Sequence, residues 1–420
     1  MMTINNKNIE NRSITTSQAN DNLGLYIHLP FCQRKCDYCS FISLIDQSEE
    51  MILAYLDHLL IESELQHKKK ITLKPSNQNV TSQYLVDSVF LGGGTPSLVS
   101  GESIKKLLTG IRSHWTVSDD VEITMECNPN SMTPKSLAEY LDAGVNRLSI
   151  GIQSFDDALL MQIGRLHDAT CAKEAITMAK LAGFENINLD LMFGLPGQTL
   201  YQWMQTLRMA ISLEPSHLSL YTLQIEEGTK LYQDYRSEKM SAVDVNLDRK
   251  CYHDAIEFLK INGFGQYEIS NFAKQGYECK HNIKYWSMEN YLGLGLNASS
   301  HINGIRWKNL SSMELWMKAI QAHQLPMEEE SLKSDTQREG MGIFLFTGLR
   351  KTQGISLLEF KNRFGIDFFQ AFGESIDQLH GYRSRGLLNW TDQQTDQQDG
   401  RLWLTQAGID YSNEIFSEFV

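Results

Sequence analysis

A parallel α/β fold is what this sequence predicts, and three observations carry the prediction. Six short apolar runs lie between residues 24 and 223. Amphipathic stretches with helical periodicity separate them. Glycines close two of those stretches, at Gly144 and Gly183, where a left-handed cap belongs. Strands alternating with helices make βαβ units, and such units build a parallel sheet.

The elements follow in order. "GLYIHL" (24–29) is the first strand, and "EEMILAYLDHLLIESEL" (49–65) the helix after it. "VDSVFL" (86–91) precedes "ESIKKLLTGIRS" (102–113), and "VEITME" (121–126) precedes "PKSLAEYLDAG" (134–144). "NRLSIGI" (146–152) leads to "TCAKEAITMAKLAG" (170–183), and "NINLDLMF" (186–193) to "TLYQWMQTLRMAISL" (199–213). "HLSLYTL" (217–223) completes the series. Six units suit an open, curled sheet or most of a barrel. In either, ligands gather at the carboxyl ends of the strands. Residues 66–84 are polar and irregular and read as a surface insertion, with "HKKK" a solvated patch.

The pattern changes after residue 224. Residues 225–273 read as a loop, a helix and a short strand. "HNIKYWSMENYLGLGLNASSHINGIRWKN" (281–309) is aromatic and glycine-rich, with few helical signals. From about 330 come helical segments, then "LLNWTD" and "GRLWLT", then a final helix. Helices followed by two short strands resemble a winged-helix module. The boundaries drawn are a disordered leader at 1–22, the repeating α/β unit at 23–230, an extension at 231–328 and the C-terminal module at 329–420.

Composition bounds the function. A chain of 420 residues, 42% hydrophobic and 21% charged, is ordinary globular protein. Acidic residues outnumber basic ones by 51 to 38, a net charge of -13, which argues against bulk nucleic-acid binding. The C-terminal module is therefore expected to pack or to bind protein. No apolar stretch is long enough to span a bilayer, which leaves room only for transient membrane association. The polar N-terminus has no apolar core of a signal peptide. Seven cysteines behind no export signal belong to a reducing cytoplasm.

Three of those cysteines fall in "HLPFCQRKCDYCSF" (28–41), directly after the first strand. Thiolates suit zinc or iron–sulfur clusters. A closed zinc site wants four ligands, and here there is no second pair; Cys127, at a strand end, is a candidate for the fourth. A cubane cluster with three protein ligands keeps one iron open for a bound molecule. "GGGTP" (92–96) follows the second strand and lets a ligand approach the backbone. Alone it would also be a tight strand-to-helix turn. Glu126, Gln153 and Asp190 end or interrupt later strands, and Arg165 stands in "GRLH". Asp190 lies inside an apolar run, and a buried acid needs a partner. "GLGLNA" (293–298) has the spacing of a dinucleotide fingerprint but begins no βαβ unit, so its glycines read as permitting a close backbone approach.

Cys32-x3-Cys36-x2-Cys39 resembles the radical S-adenosylmethionine (SAM) signature. "YIHLPFC", "FLGGGTPSL", "ECNPN", "NRLSIGIQSF", "GRLH", "NLDLMFGLPGQT", "YEISNFA", "HNIKYW" and "GLGLNASSH" extend the resemblance over nearly the whole chain. Together they resemble the oxygen-independent coproporphyrinogen III oxidase family, and within it most closely the heme chaperone branch. The resemblance implies a partial (βα)6 radical SAM barrel. It implies that Cys32, Cys36 and Cys39 ligate a [4Fe–4S] cluster whose fourth iron takes the amino and carboxylate groups of SAM. It places SAM contacts at Tyr26, Tyr38, Gly93, Gly94, Thr95, Glu126, Gln153, Arg165 and Asp190.

Two departures separate the branches. The oxidase has a fourth cysteine two residues after the third, and here that position is Phe41. "HNIKYW" (281–286) matches the H-N-x-x-Y-W motif of the chaperone branch. The resemblance makes His281 a heme contact, with Tyr285 and Trp286 as flat surface for a macrocycle; Cys127, Cys251, Cys279 and other histidines stay open as iron ligands. The implied function is a cytoplasmic heme chaperone, monomer or dimer, that binds a [4Fe–4S] cluster, SAM and heme and passes heme to acceptor proteins such as respiratory hemoproteins. The alternative is a radical SAM enzyme acting on a porphyrin or porphyrinogen.

Overall fold

The structure is a computed structural model that describes residues 22–68, 84–240, 243–391 and 399–419. Six strands form its centre: β1 (Asn22–Leu29), β2 (Leu85–Gly93), β3 (Thr116–Cys127), β4 (Arg147–Gln153), β5 (Asn186–Phe193) and β6 (His217–Thr222). They lie side by side in chain order, all parallel. Tyr26 on β1 and Tyr221 on β6 line the same cavity, so the sheet curls into a partial barrel.

Alternation along the strands sorts two faces. One face packs under the helices and is apolar: Leu25, Ile27, Val89, Leu91, Ile123, Met125, Leu148, Ile150, Leu189 and Leu191 are all buried. The other faces the barrel axis and is polar, with Thr124, Arg147, Ser149, Asn188 and Ser219 buried upon it. The helices start where side chains can accept from free backbone N–H groups. Ser100 caps Gly101–His114, Asp168 caps Ala169–Ala182, and Thr133 and Thr199 form capping boxes before Pro134–Asp142 and Leu200–Ser212. Gly183, at φ +105°, caps the Ala169–Ala182 helix in the left-handed region.

The sheet continues beyond the six predicted strands. On the β6 side come Asn271–Ala273 and Gly265–Gln266, antiparallel. On the β1 side comes Tyr291–Leu294, parallel to β1, then Ser299–Ile302, Ile305–Lys308 and Lys333–Ser334. The stretch 281–309, which shows few helical signals, therefore contributes three strands, and a seven-residue helix, Lys280–Trp286, precedes them. The helix after β1 runs to Lys68 with Gln66 buried, so the first residues of the 66–84 stretch are helical. Its remainder, 69–83, and the 1–21 leader lie outside the described residues.

Helix Lys280–Trp286 closes the amino-terminal end of the barrel. A Cβ on Gly24 of β1 would come within 3.1 Å of the His281 ring. The C-terminal module packs on the same end: Arg350 accepts from the Ile269 N–H, and Thr352 donates to the Tyr267 carbonyl. Its helices Gln337–Gly348, Leu357–Phe364 and Ile376–Ser384 surround buried Phe360, Phe368, Phe372 and Phe419. Strands Leu388–Trp390 and Arg401–Leu404 follow them and pair with Ile355–Ser356 into a small antiparallel sheet. Among the described residues no helix is long and apolar enough to cross a membrane.

Candidate functional site

The open end of the barrel carries the cysteine loop. Pro30 and Phe31 leave β1, and their carbonyls accept from the Leu44 and Thr95 N–H groups. Asp37 is buried between Cys36 and Tyr38; its N–H donates to the Ile163 carbonyl and its carboxylate pairs with Lys230. These ties hold three thiols, all half-buried, on one short loop. Burial pushes the Cys32 and Cys39 thiols up, and each feels the neighbouring thiols of the set. Three soft donors that repel one another as thiolates suit a cationic iron–sulfur cluster, which would relieve that repulsion. Among the described residues no three His, Cys, Asp or Glu side chains converge on a single ion. Cys127, the candidate fourth zinc ligand, is buried in the apolar core with Sγ directed at the Met125 carbonyl.

The glycine turn meets the loop from β2. A Cβ on Gly94 would stand 2.6 Å from the Phe31 carbonyl and 3.0 Å from Cys32 Sγ. Gly93 has φ +115°, and a Cβ there would strike the His28 ring at 2.5 Å. Thr95 Oγ1 donates to Cys32 Sγ at 3.7 Å. The turn and the cradle are therefore one feature: the backbone must pass too near the thiol for any side chain.

Glu126 and Asp190 face this cradle from β3 and β5. The Gly93 N–H donates to Glu126 Oε2 at 2.9 Å. Burial, and then the charge of Asp190, raise the Glu126 carboxyl to about 7. Asp190 accepts from Ser149 Oγ at 3.1 Å and Asn188 Nδ2 at 2.9 Å, and burial raises it too. Arg165 is the cation of the rim. It donates to Cys36 Sγ at 3.5 Å, to the Gly151 carbonyl and to Asn128 Oδ1, while its Nε has no partner. Gln153 ends β4 at φ +65°, a left-handed conformation unusual for glutamine, with its amide beside the Arg165 guanidinium over Gly151. Tyr38 packs against Leu159, Ile163, Leu195 and Leu223. Tyr26 bonds His28 Nδ1 at 2.9 Å and stacks on Phe90.

The structure thus gathers the three cysteines and the predicted contacts on β1 to β5 at one end. His281 is elsewhere. Its ring is 1% exposed; Nδ1 meets Ser88 Oγ at 2.9 Å and Nε2 meets the Tyr285 hydroxyl at 2.9 Å. Burial lowers it to about 3, so it is neutral and both ring nitrogens are occupied. Trp286 lies under the Arg350 guanidinium, 5.1 Å from its ring centre. Cys251 and Cys279 are buried. Phe41, in contrast, is 66% exposed beside the cluster loop.

A cavity of about 230 Å³ lies inside the barrel between the two ends. Tyr26, Glu126 and Asp190 line it toward the cluster, and His281, Asn282 and Tyr285 line its other part. Asn128, Arg147, Ser149 and Asn188 were missed in the sequence. Strand alternation would have found three of them, because Arg147 and Ser149 share a face of β4, as Asn188 and Asp190 share one of β5. Asn128, which joins Thr95 to Arg165, carries no local signal.

Comparisons with known proteins bear on the family and the fold. Residues 26–210 match the model of the radical SAM superfamily, and residues 336–411 that of the HemN C-terminal domain. The chain is 32% identical to the heme chaperone HemW of Lactococcus lactis over 396 residues, 94% of this chain and 96% of the relative. It is 34% identical to that of Bacillus subtilis over 396 residues, 94% and 98% of the two chains. The fold is similar to that of coproporphyrinogen III oxidase, HemN, from Escherichia coli, with a TM-score of 0.79, 21% identity, and 95% and 90% of the two chains covered.

Proposed function

The chain belongs to the heme chaperone HemW family of the radical SAM superfamily, and we propose from that premise that it is a heme chaperone that carries a [4Fe–4S] cluster and SAM at the mouth of its barrel. The observation that carries the reading is the mouth itself, where three half-buried thiols face a glycine cradle that no side chain fills. Cys32, Cys36 and Cys39 would hold the cluster, which supplies an electron donor and one open coordination position when bound. Gly93, Gly94 and Thr95 offer backbone and hydroxyl groups to the methionyl end of SAM. Glu126 and Asp190 accept from its amine or ribose hydroxyls, and Gln153, Arg165, Tyr26 and Tyr38 complete the surface around it. Arg165 also screens Cys36 from its neighbours.

Heme is the cargo. A cavity of about 230 Å³ is smaller than the ~300–1,000 Å³ of sites that enclose a drug-sized ligand. That cavity is too small to enclose a macrocycle, and the face carrying the H-N-x-x-Y-W segment is the family's candidate for it. His281 would reach iron only if Tyr285 released its Nε2. Heme then passes to acceptor hemoproteins, respiratory ones among them, in the cytoplasm.

The test is anaerobic reconstitution of the cluster followed by two parallel measurements. Heme titration should give a new Soret band near one heme per chain. Incubation with coproporphyrinogen III, SAM and a reductant should give no protoporphyrinogen. Decarboxylated product would replace the chaperone reading with the oxidase.

A further inference from the structure

We infer that Arg147 is the recognition group of a carboxylate subsite inside the barrel, at the end of the axial cavity away from the cluster. Arg147 opens β4 and its side chain is 1% exposed. Its guanidinium is always charged. Among the described residues it makes no ion pair and no side-chain hydrogen bond, and its Nε is buried without a partner. Cys279, Glu122, Tyr267 and Asp190 favour its charge without bonding to it; Glu122 Oε1 accepts from Cys279 Sγ at 3.5 Å and from the His281 N–H at 3.4 Å. A buried guanidinium N–H left unbonded is costly, and proteins keep such a group where something accepts from it.

The cavity says what that something is. Arg147 lines it together with Asn282, whose amide has no partner among the described residues. Glu126 and Asp190 line it too, and among the described residues Arg147 is the one Lys or Arg on its wall. A carboxylate in the cavity pairs with Arg147, the one cation among the described residues there. The volume admits a short acid or a side arm, and excludes a macrocycle. Phe90, His281 and Tyr285 supply flat walls. Two sources share this chemistry: a propionate arm of a tetrapyrrole held outside, or a free small carboxylate of the amino-acid class. The first rests on the heme reading above; the second does not.

The experiment uses the reconstituted protein with cluster and SAM. Iron protoporphyrin IX and its dimethyl ester are titrated against the wild type, Arg147→Met and Arg147→Lys. The free acid should bind about tenfold tighter than the ester, the worth of one charge-assisted hydrogen-bonded pair. Arg147→Met should remove that preference by weakening the acid alone, and Arg147→Lys should keep part of it. Melting scans in propionate and in glycine form the second arm. If acid and ester bind alike, yet small carboxylates raise the midpoint of the wild type and not of Arg147→Met, the occupant is a free acid. If no heme binds and the small carboxylates still act through Arg147, the subsite stands and the heme reading falls. Without ligand, the midpoint of Arg147→Met shows what the fold itself draws from this charge, which Glu122 and Asp190 favour. A lower midpoint with no carboxylate preference in either arm would make Arg147 a structural cation and overturn the inference.

Discussion

The two ends of the barrel are built from the same strands and differ in how far their polar groups are spent. At the closed end a chain of buried groups is satisfied from within the protein. The Cys279 N–H donates to the Tyr267 hydroxyl, which meets His217 Nε2 at 2.8 Å. His217 Nδ1 meets Asn188 Oδ1 at 2.6 Å, and Asn188 Nδ2 donates to Asp190. Only one order of donors satisfies that chain: Tyr267 donates to His217, and the neutral imidazole carries its proton on Nδ1. Burial holds His217 well below its ordinary range, in keeping with that neutral form. At the open end the thiols are half-buried, the Arg165 Nε is unpaired and two carboxyls crowd each other. Spent groups hold the fold, and unspent ones await a ligand. Arg147 Nε and Trp286 Nε1 are left over at the closed end, and of the two residues only Arg147 lines the cavity.

The sharpest way to break this contrast is to remove one unspent and one spent group. Cys36→Ala should abolish cluster binding, with iron and sulfide per chain at background after reconstitution, while the melting midpoint of the ligand-free protein is unchanged. His281→Ala should do the reverse. It deletes a buried ring and two hydrogen bonds, and should cost about 2–4 kcal/mol in denaturant unfolding. It should leave iron per chain as in wild type. Loss of cluster in His281→Ala with stability intact would erase the distinction between the ends.

Glu126→Gln sharpens the contrast within the open end. Glutamine keeps an oxygen for the Gly93 N–H but loses the charge, so SAM affinity by calorimetry should fall about tenfold. The ligand-free protein should gain. The folded carboxyl sits at about 7, above the ~4.3 of an unfolded chain. Between those values the folded state holds the extra proton, so this group's contribution falls as pH rises through the window. Glutamine does not titrate. The variant should match wild type near pH 5 and melt higher near pH 8. A midpoint lower than wild type at pH 8 would mean that the charge already has a partner within the chain.

How much of this could be read from sequence follows the same division. The strand runs were legible because alternation places Leu25, Ile27, Leu189 and Leu191 under helices. β2 runs two residues past its apolar run because Gly92 and Gly93 still pair with His28 and Leu29. The cluster loop was legible because its three thiols are close in sequence. The extra strands were not, because Tyr291–Leu294 is short and pairs with β1 across more than two hundred residues. Helix Lys280–Trp286 was not, because seven residues carry too little periodicity and its stability comes from packing. His281 drew the reading of a metal ligand from its motif. Only its two neighbours, Ser88 and Tyr285, reveal how its nitrogens are used.

The smallest effect expected is at Phe41, and it bears on which branch the chain follows. The ring is 66% exposed, so Phe41→Cys should change unfolding free energy by less than about 0.5 kcal/mol. It restores the fourth cysteine of the oxidase pattern beside Cys39. If that cysteine alone separated oxidase from chaperone, the variant would convert coproporphyrinogen III. The axial cavity argues otherwise: at about 230 Å³ it is smaller than a site that encloses a macrocycle, and Phe41→Cys does not enlarge it. The variant should form no decarboxylated product and should bind heme as the wild type does. Product formation would mean that the barrel opens in solution beyond its present shape, and would move the determinant of function from cavity size to residue 41.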